Sequence, residues 1–214
     1  MGNATWEAFH RTGDPDHQAP LPHAEEMALI EAAIADPAAF APLYRRYALR
    51  VYGYCLRRLL DRERAADATS QIFVRALGAL PRYRPDERNP GATFRAWLFT
   101  IANSVVTDAH RRHRSHTPLD TSAGDRASPA LKIADAAPSP EERAVVADEI
   151  RRLHEMLETL PERQRRVLEL RLADLSGAEI AETLGMTVGA VKAAQFRAYT
   201  TLRDRFQHDA GRPS

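Results

Sequence analysis

Apolar residues recur at spacings of three and four along most of this chain, which is the period of amphipathic helices. Between about His23 and Arg114 the pattern predicts four helices. The second helix has a single apolar stripe, formed by Phe40, Leu43, Tyr44, Tyr47, Val51, Tyr54 and Leu59. Its opposite face carries five arginines, namely Arg45, Arg46, Arg50, Arg57 and Arg58. The first half of the chain is therefore predicted to be a helical domain with basic faces.

The third and fourth helices are separated by a loop rich in Pro, Gly and charged residues, PRYRPDERNPGA. The third runs from about Asp61 to Leu80. The fourth begins at Thr93 and places Trp97 on its apolar stripe, so that Trp97 is assigned to the core. The far end of the fourth helix is a basic run that ends at Arg114.

The second half of the chain is predicted to be a separate helical domain. Residues 117–138 have no sustained apolar stripe and are interpreted as a flexible linker. The segment SPEE then forms a capping box with proline at the first helical position, and helices follow through residue 206. The prediction is an all-α fold with domains at 23–116 and 139–206, an N-terminal extension (1–22) and a tail (207–214).

The stretch from Ser176 to Leu202 has the pattern of a helix-turn-helix. Ser176 and Glu179 form a capping box, and Gly185 is suited to the left-handed residue that ends the first helix. A second helix begins near Thr187 and carries a polar, basic face. This order is typical of DNA-binding helix-turn-helix units. The alternative is an ordinary hairpin of two helices.

Composition adds only broad bounds to this prediction. Of 214 residues, 44% are hydrophobic and 28% charged, which is sufficient for a core. The net charge of +1 neither favours nor excludes nucleic acid. The single cysteine, Cys55, cannot form an internal disulfide, and this favours a reducing cytoplasm. No stretch approaches the roughly 18 apolar residues of a membrane span, so no membrane insertion is expected.

Catalytic and metal-binding patterns are weak in the sequence. His110, His113 and His116 are spaced by three, but neighbouring arginines would repel a metal cation. We therefore expect no metal, no cofactor and no enzymatic activity. A helical enzyme such as a nucleic-acid hydrolase would need a convergent carboxylate or histidine cluster. The two basic helical faces, joined by the linker, indicate two separate contacts on one nucleic acid. The alternative is that both faces are simply exposed to solvent.

Several sequence blocks resemble a known family. FAPLYRRYALRVYGY, RAADATSQIFVRALGALPRYR, FRAWLFTIANSVVTDAHRRHR and LPERQRRVLELRL, followed by the helix-turn-helix, resemble bacterial sigma factors of the sigma-70 family. They are similar to the extracytoplasmic-function (ECF) group of that family. The resemblance implies a factor that binds core RNA polymerase, recognises the −35 and −10 promoter elements and promotes strand opening. Its implied partners are the polymerase β′ clamp helices and β flap, promoter DNA and an anti-sigma factor.

In the first domain the resemblance assigns two sites. Asp67 matches a clamp contact, and Ser70 and Gln71 stand where the family usually has Gln-Glu. Tyr83 and Asn103 match the pocket for a flipped −10 base, where a ring can stack and an amide can read a base edge. Tyr83 could instead close the core, and Asn103 could bond only to backbone. The basic run supplies further expected −10 contacts, namely Arg111, Arg112 and Arg114.

In the second domain the resemblance assigns the −35 contacts. They are Arg171, Lys192, Gln195, Phe196 and Arg197. The family pattern of a basic residue followed by Ser-Arg is replaced here by Ala193 and Ala194 after Lys192, which should alter −35 preference and leave the reading face bare. Gln195 could read adenine bidentately. The main alternative is a helix-turn-helix regulator with a helical sensor domain, which has no need of the FRAWLFTIAN to HRRHR block.

Overall fold

The computed structural model of the chain describes residues 22–86, 88–115 and 140–210, without the side chains of residues 113–115, 140–144, 146 and 206–210. Within these ranges the fold is all-α, as the sequence predicts, and no strand is present. The helices are α1 (His23–Ala35), α2 (Ala41–Leu59), α3 (Arg62–Ala79), α4 (Phe94–Ser115), α5 (Pro140–Glu158), α6 (Glu162–Arg171), α7 (Gly177–Leu184) and α8 (Val188–Ala210). Short 3-10 turns span Pro37–Phe40 and Leu80–Arg82.

Several sequence assignments fall outside these ranges. They are the N-terminal extension through residue 21, the linker and Ser139 of the SPEE capping box. The side chains of Arg114 and His113, and residue His116, are also outside. Helix α8 continues to Ala210, past Phe206, where the sequence predicts the tail to begin.

Contacts divide the described residues into two compact units, one ending at Tyr47 and the other beginning at Ala48. In the first unit, the Asp36 side chain accepts a hydrogen bond from the Ala38 amide (2.9 Å) and caps the turn that leads into α2. The Tyr47 hydroxyl donates to Glu26, which ties the start of α2 to α1. The Asp36 cap and the Tyr47 hydrogen bond thus fix where α2 begins and how it packs against α1.

The second unit contains the rest of α2 and helices α3 to α8. Asp61 caps α3 by accepting from the Arg64 amide at 2.8 Å. Tyr54 of α2 packs edge-on against Phe99 of α4, with ring centroids 5.5 Å apart. Cys55 is fully buried, and burial raises the pKa of its thiol to about 12, as expected of a core cysteine rather than a nucleophile.

One arginine of α2 departs from the sequence prediction. Arg58, assigned to the polar face, is buried, and its Nη1 atom donates to Glu169 Oε2 of α6 at 2.6 Å. Arg165 lies beside the same carboxylate at 3.9 Å. Two charges taken out of water need this pairing, because an unpaired buried charge is costly. Arg58 therefore joins the α2 and α6 segments of the second unit.

Three of the last four helices share a small apolar core. Leu157, Leu160, Leu168 and Ala198 form one buried cluster, which brings α5, α6 and α8 together. Among the described residues, no helix combines the length and apolar character needed to cross a bilayer.

Candidate nucleic-acid and polymerase interface

The helix-turn-helix is built by its caps, as predicted. Ser176 Oγ accepts from the Glu179 amide (3.2 Å), and the Ser176 amide donates to Glu179 Oε2 (2.8 Å), which completes the capping box. Gly185 adopts φ 61°, a left-handed conformation that suits glycine. Thr187 Oγ1 accepts from the Ala190 amide (3.2 Å) at the start of α8. The backbone of α7 and α8 is thus fixed locally.

Three of the predicted −35 residues are exposed on α8. Lys192 and Arg197 are exposed, and Phe196 is 73% exposed. The two cations could bind phosphates or base edges in a groove, and the exposed ring could make apolar contact with the bases. Ala193 is half-buried, whereas Ala194 is only 1% exposed and packs into the core. The prediction that Ala194 leaves the reading face bare is therefore wrong, because position 194 does not lie on that face.

The remaining two predicted −35 residues contact each other. Arg171 Nη2 donates to Gln195 Oε1 at 3.1 Å, and Arg171 Nη1 donates to the Leu175 carbonyl at 2.9 Å. The Gln195 amide nitrogen lies 3.4 Å from the Tyr199 hydroxyl. Arg171 thus joins the turn before α7 to α8 and orients Gln195.

Tyr83, near the start of the loop before α4, packs in an aromatic cluster. It is 7% exposed, and its ring centroid lies 5.7 Å from that of Phe94 and 5.1 Å from that of Trp97. Arg84 Nη1 donates to the carbonyls of Pro81 and Tyr83, each at 2.8 Å, and so shapes the chain here. In this conformation Tyr83 closes the core.

Asn103 and the basic end of α4 form a second surface. Asn103 is half-buried, and its carbonyl accepts from Thr107 Oγ1 at 2.7 Å. Arg111 and Arg112 are exposed farther along the helix, with Arg111 Nη2 3.2 Å from Asp108 Oδ1. A rise of about 1.5 Å per residue separates Arg111 from Asn103 by roughly 12 Å. A single strand could therefore contact both ends of this surface.

The predicted polymerase contacts lie on α3. Asp67 and Gln71 are exposed and four residues apart, which places them on one face, and Ser70 is half-buried between them. Val74 continues that face and is 71% exposed. Sequence reasoning missed Val74, although an apolar residue off the core stripe of an amphipathic helix is a usable signal.

A contact between α4 and α7 was also missed. Glu179 is 3% exposed, and its carboxylate accepts from Arg95 Nε (2.9 Å), Arg95 Nη2 (2.6 Å) and Thr93 Oγ1 (2.6 Å). Burial alone would raise the pKa of Glu179. The hydrogen bonds from Arg95, Thr93 and the Ser176 amide outweigh burial and hold that pKa below its usual value.

Among the described residues, no group of three or more His, Cys, Asp and Glu side chains converges as a metal site. The features that do converge are a helix-turn-helix, an exposed basic and aromatic face on α8 and a second basic surface on α4. Together they define an all-helical protein with the elements of nucleic-acid binding.

Comparison with known proteins identifies the family. The family model described as "Sigma-70 region 2" matches residues 43–116, and "Sigma-70, region 4" matches residues 150–202. The chain is 36% identical over 184 residues to the ECF RNA polymerase sigma factor SigD of Mycobacterium tuberculosis, covering 82% of this chain and 81% of SigD. It is 34% identical over 195 residues to the ECF sigma factor BldN of Streptomyces coelicolor, covering 87% of this chain and 68% of BldN.

A solved structure agrees on the fold. CnrH, solved in complex with the cytosolic domain of CnrY, matches with a TM-score of 0.63 at 22% identity, covering 86% of this chain and 98% of CnrH. The chain belongs to the sigma-70 family of RNA polymerase sigma factors, in the ECF group. It is a sigma factor that acts in transcription initiation.

Proposed function

We propose that this sigma factor divides promoter recognition between its two matched regions. Residues 23–116 bind the β′ clamp helices and open the −10 element, residues 139–206 bind the −35 element and the β flap, and residues 117–138 tether them. The observation that carries this proposal is the pair of separate exposed basic surfaces, one in each matched region. Neutralising phosphates at two places makes binding both salt-sensitive and bipartite.

The polymerase contact is proposed for the exposed α3 face, defined by Asp67, Ser70, Gln71 and Val74. An exposed valine at one end of this polar face adds apolar contact area, which the buried part of a protein interface uses. This α3 face has only one carboxylate, that of Asp67. Val74 would therefore supply part of the affinity that the Gln-Glu pair supplies in other family members.

The −10 contact is proposed for Asn103 with Arg111, Arg112 and Arg114. Asn103 offers both a donor and an acceptor to an unstacked base, and the arginines hold the strand. Tyr83 would have to leave its cluster with Phe94 and Trp97 to stack on that base. The −35 contact is proposed for Lys192, Phe196 and Arg197, with Arg171 positioning Gln195.

This chain would act by binding energy alone, without catalysing a reaction itself, in the cytoplasm beside the polymerase. An anti-sigma factor is a further proposed partner. The support is the ECF resemblance, together with a CnrH structure that contains the cytosolic domain of CnrY.

Purified core polymerase tests this proposal. Core plus this chain should produce transcripts with defined 5′ ends, which sequencing of those ends would locate. Asn103→Ala should then reduce strand opening, measured by permanganate reactivity at −10, by about tenfold or more, while −35 duplex binding changes little. Ser104→Ala, on an exposed neighbouring position, is the matched control. Equal loss of opening and −35 binding would contradict the division of labour, and absence of specific transcripts would contradict the proposal as a whole.

A further inference from the structure

Three side chains of the helix-turn-helix region, Arg171, Gln195 and Tyr199, are joined by a series of hydrogen bonds. Arg171 Nη2 donates to Gln195 Oε1 at 3.1 Å in a partly buried position. The Gln195 amide nitrogen lies 3.4 Å from the Tyr199 hydroxyl in an exposed one. Because Arg171 Nη1 also donates to the Leu175 carbonyl at 2.9 Å, the guanidinium is fixed between the turn before α7 and helix α8.

This arrangement determines which end of the Gln195 amide faces solvent. A guanidinium has only donors, so the amide atom beside Arg171 must be the oxygen. The amide NH2 group then lies at the exposed end, beside Tyr199. It has two N–H donors, and the tyrosine oxygen takes one of them. Gln195 therefore presents a donor to solvent, while its acceptor is turned toward Arg171.

The position of Gln195 on α8 suits that donor to DNA. Residues three apart are neighbours on a helix surface, so Gln195 lies beside Lys192. Lys192 is exposed, and so is Phe196, the next residue along the chain. Both belong to the proposed −35 contact. The outward donor of Gln195 is thus adjacent to residues that are proposed to enter the groove.

The major groove distinguishes bases that a fixed donor can and cannot accept. Guanine and thymine present a carbonyl oxygen, O6 or O4, whereas adenine and cytosine present an amino group. A fixed N–H donor is attracted to the carbonyl oxygen and repelled by the amino group. Bidentate reading of adenine needs the glutamine oxygen as well, and Arg171 holds that oxygen.

We propose that Arg171 is a positioning residue, which makes Gln195 select guanine or thymine at one position of the −35 element. The inference rests on the proposed function, since it concerns the same −35 surface. It replaces the adenine preference that a freely turning glutamine would give. Arg171 acts on specificity through Gln195, without contacting the base itself.

Gln195→Glu is the sharpest variant, because it keeps a partner for Arg171. One glutamate oxygen accepts from Arg171, and the other replaces the exposed donor with an acceptor. The preferred bases should therefore change to adenine and cytosine, which present amino groups.

Two further variants complete the set. Arg171→Met keeps an unbranched stem but removes the donors, so the Gln195 amide can turn and adenine should become the preferred base. Arg151→Gln, at an exposed position of α5, lowers the net charge by one, as Gln195→Glu does, and is the charge-matched control.

Sequencing of bound DNA measures the preference. Core polymerase with each full-length variant is mixed with promoter duplexes randomised over the −35 element, and the bound duplexes are sequenced. With the wild-type chain and with Arg151→Gln, guanine and thymine should exceed adenine and cytosine by about fivefold at one position. Gln195→Glu should invert that ratio at the same position, by about the same factor.

Two results would overturn the inference. One is a preference for adenine in the wild-type chain. The other is a Gln195→Glu variant that weakens binding equally for all four bases, which is expected if Arg171 and Gln195 only stabilise the helix-turn-helix. If Arg171→Met fails to fold by circular dichroism, Gln195→Glu still decides the matter. The proposed function fails separately, since it requires specific transcripts from the wild-type chain, whichever base Gln195 prefers.

Discussion

At the scale of single residues, Ala194 shows how burial limits the reading face of α8. Its side chain is 1% exposed, while its neighbour Ala193 is half-buried. Ala194→Arg would force a guanidinium into a packed core and should lower the free energy of unfolding by about 3 kcal/mol. Ala193→Ser should change it by less than about 0.5 kcal/mol. Urea unfolding followed by circular dichroism measures both, and a well-tolerated Ala194→Arg would contradict the burial of this position.

The residues that the sequence misplaced share a physical cause. Periodicity separates polar from apolar positions within one helix, but it contains no information about a partner distant in sequence. Arg58 and its partner Glu169 are 111 positions apart, so nothing in the local pattern of α2 indicates that Arg58 is buried. Tyr83 is similar in one respect, since its position in a loop does not indicate that its ring packs against Phe94 and Trp97, which only the fold shows.

At the scale of elements, local signals were sufficient for most of the fold. The amphipathic stripes predicted α1 to α8, and the helix-turn-helix followed from Ser176, Glu179 and Gly185, whose caps the structure confirms. These signals succeed because capping and the left-handed C-terminal glycine are interactions within a few residues. The second use of Glu179, toward Arg95, could not be predicted, because a capping box fully explains a glutamate at that position.

The capping box itself gives a prediction for α7. Ser176→Ala removes the acceptor of the Glu179 amide and should destabilise the chain by about 1 kcal/mol. Ser104→Ala, at an exposed position within α4, should change stability by less than about 0.5 kcal/mol. Chemical unfolding of both variants tests the difference. If the two substitutions had the same effect, the Ser176 hydrogen bond would contribute nothing to folding.

At the scale of the whole molecule, charge is nearly balanced, with 30 Lys and Arg against 29 Asp and Glu. A chain of net charge +1 has little long-range attraction for DNA, so attraction depends on where charges are exposed. Burial of the Arg58–Glu169 and Arg95–Glu179 pairs removes equal numbers of opposite charges from the surface. Lys192 and Arg197 remain exposed on α8, and this sorting of charges comes from the tertiary fold rather than from composition.

If exposed local charge governs attraction to DNA, its contribution to promoter binding by core polymerase with this chain can be predicted quantitatively. Each lost phosphate contact reduces the slope of log K against log salt by about 0.9. The double variant Lys192→Gln with Arg197→Gln should therefore reduce the slope by about 1.8. Fluorescence anisotropy from about 50 to 200 mM salt measures it. Arg151→Gln removes one exposed positive charge from α5 that is not among the proposed DNA contacts, and it should leave the slope unchanged. If Arg151→Gln reduced the slope as much per charge as the α8 variant does, attraction would be a property of net charge, and α8 would have no special part in −35 binding.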